Sequence, residues 1–346
     1  MDSLINQIKE INKDYLINSI YVYKSCAEYV VILKRLPDTV TNENRNNITN
    51  KECKLFAKHR GNKFLVEDIF HKFDLANKAY TISNSNFNKS KLEYKIGKVI
   101  ISDKFDTNLE EVCSNGIHYF LKLECAFYYS LQKIQNGEYL EWHDNGQQYI
   151  KCTYTDDKLN GEYLQWHDNG QQHIKCTYTD DKLNGEYLQW HDNGQQHIKC
   201  TYTYGKLNGE YLRWYDNGQQ HIKCSYIDDK RNGEYLEWYC NSQQHIKCTY
   251  TNSKLNGEYL KWYDNGQQYI KFTYTDGKRN GEYLEWYDNG QQYIKCTYTD
   301  GKRNGEYLEW YDNGQRWKKC TYTDDRLNGE YFRWYDDGRC YHTFYR

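Results

Sequence analysis

The sequence predicts a mainly β fold: an elongated antiparallel array of β-hairpins behind a smaller α+β N-terminal domain. Three observations carry this. Asn-Gly-Glu-Tyr recurs with its glycine at 137, 161, 185, 209, 233, 257, 281, 305 and 329, nine times at a spacing of 24 residues, and a fixed period of about 20–50 residues marks a stacked repeat architecture. Each period holds two runs of alternating residues, rich in aromatic and β-branched types, on either side of Asn-Gly, which is a hairpin signal. Residues 1–135 contain none of this pattern.

The elements follow in order. Residues 3–18 place Leu4, Ile5, Ile8, Ile11, Tyr15 and Leu16 at helical spacing. Tyr21–Leu33, Lys63–Phe70 and Tyr94–Ile101 read as strands and Leu123–Ile134 as a helix. No Gly/Ser-rich or Pro-rich linker follows, so the boundary is set between Ser130 and Gln135 and the two parts abut, as a domain of residues 1–135 and an array of residues 136–346. In the first repeat, placing Leu140 opposite Ile150 gathers the apolar residues of both strands on one face. That register pairs His143 with Gln147 and leaves the loop Asp144-Asn145-Gly146, with Gly146 left-handed. Thr155-Asp156-Asp157-Lys158-Leu159-Asn160-Gly161 forms the second turn. About 18 strands at roughly 4.8 Å each span on the order of 85 Å.

Two faces result. One carries Leu140, Trp142, Ile150, Cys152 and Tyr154; the other carries Tyr139, His143, Tyr149, Lys151 and Thr153. The first set is expected to be hidden by curling of the sheet, by self-association through the apolar face, or by a partner, because so long an apolar patch is not tolerated on a monomer. The second is amphipathic, as interfaces are. Its candidate recognition residues are Tyr139, Tyr149, Lys151, Tyr163, Tyr187, Tyr211, Tyr235, Tyr259, Tyr283 and Tyr307.

Composition agrees with one hairpin multiplied. Of 346 residues 38 are Tyr, 10 Trp and 13 Cys, with one Pro and one Met, and nine of the ten Trp fill the Trp142 position of the repeat. Formal charge is −2; residues 1–135 hold 20 Lys and Arg against 16 Asp and Glu, and the remainder 26 against 32. Without a basic stripe, nucleic acid is not an expected partner. No run approaches the roughly 18 apolar residues of a membrane span, and Met1-Asp2-Ser3-Leu4 opens no signal peptide. The expectation is a soluble, unsecreted chain.

Comparison of the copies tests each tempting site. Cys152, Cys176, Cys200, Cys224, Cys248, Cys296 and Cys320 share one position, but Phe272 takes it once and Phe344 is expected there in the last strand. A position that accepts Phe is a buried apolar one, and free Cys is among the most buried residue types. His143, His167 and His191 alternate with Tyr215 and Tyr239, and His173, His197, His221 and His245 with Tyr149 and Tyr269; tyrosine replaces neither an imidazole base nor a zinc ligand. No metal or other cofactor is expected. Glu138-type and Lys151-type residues are expected to pair across strands. Arg316, Trp317, Lys318 and Lys319, together with the closing Arg339–Arg346, depart from the repeat as a cap would.

Gly-Glu-Tyr-Leu-x-Trp-Tyr-Asp-Asn-Gly-Gln resembles the variant MORN repeat over residues 136–346. The resemblance implies hairpin arrays that contact proteins or membrane surfaces and carry no chemistry of their own. Cys113–Phe120, Glu124–Tyr129, Tyr94-Lys95-Ile96-Gly97 and Val22-Tyr23-Lys24 resemble an uncharacterised domain of amoebal giant-virus and phage proteins, which implies an origin in such a virus and a location in the cytoplasm of its host. Gly116–Phe120 before Ala126-x-x-Tyr129 also looks like the strand and helix of poly-ADP-ribose polymerases, marking His118, Tyr119 and Tyr129 as a head site. The Ser of that helix, the His-Gly-Ser/Thr motif and an assignable catalytic Glu are absent. The reading is therefore a non-enzymatic interaction scaffold; the alternative is a nucleotide-using, ADP-ribosyltransferase-like enzyme in the head, targeted by the repeats.

Overall fold

The computed structural model describes residues 4–48, 50–85, 91–131, 133–335 and 337–346. Met1–Ser3 and Gln132, which the sequence reading used in the chain start and the two expected helices, lie outside the described residues. The chain divides into two compact units, residues 1–181 and 182–346.

The head comprises α1 (Leu4–Ile11), α2 (Lys13–Leu16), β1 (Tyr21–Cys26), β2 (Tyr29–Lys34), α3 (Lys51–Phe56), β3 (Lys58–Gly61), β4 (Lys63–His71), β5 (Thr81–Ser85), β6 (Lys91–Lys95), β7 (Val99–Ile101), β8 (Ile117–Phe120) and α4 (Leu123–Tyr128). One antiparallel sheet runs β3-β8-β1-β2-β4-β7, and β5 pairs with β6. Several expected elements are subdivided by turns. The strand read over Tyr21–Leu33 folds back at Ala27, in the left-handed region at φ 50°, and the one over Tyr94–Ile101 breaks at Gly97, φ 76°. The first helix breaks at Asn12, whose Nδ2 donates to the Ile8 carbonyl at 2.9 Å. The last ends at Tyr128, short of Ile134.

Alternation along the strands fills two cores. Val22, Val31, Leu33, Phe64, Ile69, Tyr94, Ile117 and Tyr119 form one. Tyr23, Val30, Ile32 and Phe120 join Ile5, Ile8, Leu123 and Phe127 of the helices in the other, and this second core also takes in Tyr139 and Cys152 of the first repeat. The head therefore caps the first hairpin, supplying the neighbour that a terminal repeat lacks. Trp142 stacks on Phe56 at 5.3 Å, Tyr128 Oη donates to the Glu138 carbonyl at 2.9 Å, and Arg45 Nη2 donates to the Asp144 carbonyl at 2.6 Å.

In the first unit the repeats form β9 (Gly137–Trp142), β10 (Gln148–Thr155), β11 (Lys158–Trp166) and β12 (Gln172–Thr179). The expected three-residue loop is present: His143 N–H donates to the Gln147 carbonyl at 2.8 Å, and Gly146 has φ 87°. The register is not the expected one. Glu141 lies opposite Ile150, Leu140 opposite Lys151 and Tyr139 opposite Cys152, with a shift between Gln148 and Ile150. Tyr149 is the extra residue of a β-bulge, and one extra residue reverses the parity of every side chain beyond it. Tyr139 therefore joins Ile150, Cys152 and Tyr154 on the inner face, whereas Leu140 and Trp142 go with Glu138, Lys151 and Thr153. The second turn is a two-residue one, Asp156 and Asp157 both at positive φ (49° and 63°), between Thr155 and Lys158, the type I′ geometry that suits strand twist.

The second unit repeats this pattern hairpin after hairpin; Leu236 faces Lys247 and Tyr235 faces Cys248. Its cores consist of the inner face: Phe272, Tyr283, Cys296, Tyr307, Cys320 and Tyr322 in one cluster, and Cys224, Tyr235 and Cys248 in another. Tyr235 and Tyr250 meet edge to face at 5.9 Å, and the Arg279 guanidinium lies over Phe272, Tyr283 and Tyr298 at 4.9–5.4 Å. The closing hairpin has no bulge. There Phe332 lies opposite His342 and Tyr331 opposite Thr343, so Phe344 is not in the cysteine column but 61 % exposed beside Glu330. Phe272, 5 % exposed, fills that column as a core residue.

Neighbouring repeats are tied at the hairpin tips. Tyr215, Tyr239, Tyr263 and Tyr287 each donate Oη to the carbonyl of the next repeat's tryptophan at 2.9 Å. His143 Nε2 makes the equivalent bond to Trp166 at 3.0 Å and His191 to Trp214 at 3.3 Å. Asn145, Asn241 and Asn265 Nδ2 donate to the carbonyls of Asp168, Asp264 and Asp288 at 2.7–3.0 Å. Histidine and tyrosine exchange in this position because each offers one donor at similar reach.

Tyr239→Phe removes one tip bond and lowers stability to urea by about 0.5–1.5 kcal/mol, while Tyr239→His keeps most of it; equal losses in the two variants would refute the role of the bond. Burial pushes Cys152 and Cys176 up to about 12 and Cys200 and Cys248 up to about 11. A thiol raised in the fold ionises first in the unfolded chain, so stability is kept below about pH 9 and lost as pH rises toward 11–12. Thermal unfolding is expected to fall over that range. At pH 8 Cys113, Cys240 and Cys340, the exposed thiols, are alkylated while the buried ones are protected until unfolding.

Candidate functional site

The outer face of the repeat is the surface its own core leaves free. In each hairpin the leucine and tryptophan two residues apart flank a cross-strand ion pair. In the first unit Lys151 Nζ meets Glu138 Oε1 at 2.7 Å and Lys175 meets Glu162 at 3.3 Å. In the second, Lys199–Glu186, Lys223–Glu210, Lys247–Glu234, Lys271–Glu258, Lys295–Glu282 and Lys319–Glu306 stand at 2.7–3.2 Å. The expected Glu–Lys pairing thus recurs in every complete hairpin. The pair members are about half exposed, and each contributes roughly 0.2–1 kcal/mol. Beside this ladder Leu212, Leu236, Leu260 and Leu284 with Trp214, Trp238, Trp262 and Trp286 are half-buried and lie outside the second unit's apolar clusters. The face is a stripe of apolar side chains edged by neutralised charge.

The residues marked from sequence divide between the faces. Lys151 is on the outer one. Tyr139, Tyr235, Tyr283 and Tyr307 are buried on the inner one at 4–9 % exposure, and Tyr163, Tyr187, Tyr211 and Tyr259 are half-buried in the same register. The expected common face of Tyr139 with Lys151 is therefore corrected by the bulge. The phenols donate to carboxylates two residues on: Tyr235 to Glu237 and Tyr283 to Glu285 at 2.7 Å, Tyr307 to Glu309 at 3.2 Å. Burial and then this glutamate hold their pKa well above the ordinary range. Burial raises Tyr259 to about 12 as well. Tyr149, the bulge residue, rests its ring on His143 at 4.6 Å. The Leu–Trp stripe was missed because its membership depends on the bulge; the invariance of the Lys and Glu positions was the available sign of it.

In the head, His118 and Tyr119 alternate to opposite faces of β8. Tyr119 is fully buried and donates to Glu43 Oε1 at 2.5 Å. His118 Nε2 is bonded to the Val112 carbonyl at 2.8 Å, and burial lowers its pKa to about 4. Tyr129, 38 % exposed, lies under the Lys58 ammonium at 5.4 Å. His118 and Tyr129 line one small cavity that Tyr119 does not reach, so the three do not converge as a catalytic group. Among the described residues no group of His, Cys, Asp and Glu is arranged to hold a metal ion, and no helix is long and apolar enough to cross a membrane.

No curated protein matches the chain in sequence. Among solved structures, a chain from the crystal structure of TcdB2-TccC3-Cdc42 aligns at 10 % identity with a TM-score of 0.16, covering 99 % of this chain and 22 % of that chain. This chain thus spans about a fifth of that one's length. Residues 13–126 match a family of unknown function, DUF5758, and residues 279–300 and 303–324 match the MORN repeat variant. The chain carries variant MORN repeats at 279–324 and an N-terminal DUF5758 domain.

Proposed function

We propose that the chain is a non-enzymatic binding scaffold that engages a protein partner through the outer Leu–Trp–Lys–Glu face of its repeats. The observation that carries this reading is the division of labour within each hairpin. Tyr, Cys and Ile side chains make the core, and a second ordered set of apolar side chains is left partly exposed in the same register from repeat to repeat. Tryptophan is enriched at the centres of interfaces, and the paired Lys and Glu beside it have the polar character of a rim. A tyrosine-rich recognition surface fits less well, since most of those rings serve the repeat's own core.

A protein is favoured over a membrane surface by charge. Residues 182–346 hold 23 Lys and Arg against 23 Asp and Glu, and the Lys of the outer face are each spent on a Glu. Attraction to anionic lipid needs clustered, unpaired basic residues. The infected-cell cytoplasm and the viral origin implied by the sequence resemblance belong to this proposal as its setting; the scaffold reading does not depend on them.

The test compares the full chain with a variant carrying Leu212→Glu, Leu236→Glu and Leu260→Glu, and with an Asn252→Asp control at the opposite turn. Cross-linking in cells that produce the chain is expected to yield a protein partner whose recovery falls at least about tenfold in the triple variant, as loss of a few interface anchors requires, and is unchanged in the control. Equal recovery by wild type and triple variant would refute the face assignment. Capture by anionic vesicles without any protein partner would favour the membrane alternative.

A further inference from the structure

β1 and β8 pair at a single rung, Tyr23 opposite Phe120. Beyond it the strands part, and Lys24 Nζ spans the gap to donate to the His118 carbonyl at 3.1 Å. The opening widens into a cavity of about 220 Å³ whose lining includes Lys24, Ser25, Lys58, Asn84 and Tyr94. Among the described residues no carboxylate lines it. Behind Ser25 stands Lys72, 0 % exposed, donating to Ser25 Oγ at 2.8 Å and to the Tyr129 carbonyl at 3.2 Å. The Tyr94 hydroxyl, also in a side chain 0 % exposed, has no hydrogen-bond partner among the described residues.

We propose that this cleft binds a small molecule bearing a phosphate group. The accounting of charge points there. Lys24 and Lys72 meet neutral oxygens, and among the described residues only Lys58 of the three has a carboxylate in reach, Asp144 at 3.5 Å. Three ammonium groups thus share one anion in a partly desolvated site, an arrangement that is costly unless a counter-charge is supplied. Burial draws Lys72 down to about 8 and also lowers Lys24, as it does for ammonium groups lacking such a charge. Of the other lining groups, Tyr94 offers a free hydroxyl and Asn84 an amide whose Nδ2 reaches Cys26 Sγ at 3.7 Å, while Ser25 is already bonded, donating to the Tyr129 carbonyl at 3.2 Å. A carboxylate brings one charge and two oxygens; a phosphomonoester brings about −1.5 to −2 and three acceptor oxygens, which match the Lys24 and Lys58 ammonium groups and the unpartnered Tyr94 hydroxyl of the lining, with the Lys72 charge behind Ser25. The volume suits a phosphate with a short organic group and lies below the roughly 300–1,000 Å³ of sites for larger ligands, so a dinucleotide of the kind an ADP-ribosyltransferase uses does not fit inside. This proposal is independent of the repeat face.

The test uses the full chain and inorganic phosphate, with succinate as the carboxylate arm, at low salt. Calorimetry is expected to give one saturable phosphate site, about tenfold weaker in Lys24→Gln and several-fold weaker in Tyr94→Phe, the losses of a charge-assisted and a neutral hydrogen bond. Circular dichroism establishes that each variant is folded. A second readout needs no variant: Cys113 lines the cavity and is exposed, so saturating phosphate should slow its alkylation and leave Cys240 and Cys340 unaffected. Absence of saturable phosphate binding, tighter binding of succinate than phosphate, unchanged affinity in both folded variants, or unprotected Cys113 would each overturn the assignment.

Discussion

One extra residue per hairpin, at the position of Tyr149, decides which side chains of the repeat meet each other and which meet solvent. Without the bulge, Leu140 would face Ile150 and the tyrosines would lie outside with the lysines. With it, Tyr139 faces Cys152 and Leu140 faces Lys151. The closing hairpin supplies an internal comparison: lacking the bulge, it adopts the simpler register, and Phe344 is turned out to 61 % exposure. The inner face tolerates its many polar atoms because they are satisfied locally, phenol to glutamate and guanidinium over ring. Core and recognition surface are thus two sides of one register choice.

The period, the hairpins and the Gly146 loop were legible because each depends on local chemistry: a 24-residue repeat, alternation, and a residue able to take positive φ. The face assignment was not legible, since alternation fixes faces only when no residue is inserted, and Tyr149 looks like any strand residue. The inner cysteine column survived the error because Cys152 lies beyond the bulge on the same strand as Ile150 and Tyr154, whose mutual parity is unchanged. The exchange of histidine and tyrosine at the hairpin tips has a structural reason. His143 and Tyr215 make the same bond to the next tryptophan carbonyl, so their exchange reports a shared donor.

The head was harder. Its strands were located by hydrophobicity, but their turns at Ala27 and Gly97 were missed, and the order β3-β8-β1-β2-β4-β7 rests on pairings between distant segments. His118 and Tyr129 were singled out by resemblance and do share a cavity. What makes the cavity distinctive is Lys24 and Tyr94 in its lining and Lys72 behind Ser25, which come from separate segments of the chain. Nothing in the spacing of those residues along the chain announces it. The head has a second task that the sequence division at residue 135 obscured: it completes the core around Tyr139 and Cys152, so the compact unit extends to residue 181.

The most direct test of the register asks which of two adjacent side chains faces solvent. Leu236 and Tyr235 occupy opposite faces of one strand. Single replacements Leu236→Cys and Tyr235→Cys, labelled with a maleimide in the folded chain and resolved by mass, report the answer at one position. The bulged register predicts rapid labelling at 236 and protection at 235. Rapid labelling at 235 with protection at 236 would contradict it, and with it the division of the repeat into a tyrosine-lined core and a leucine–tryptophan recognition face.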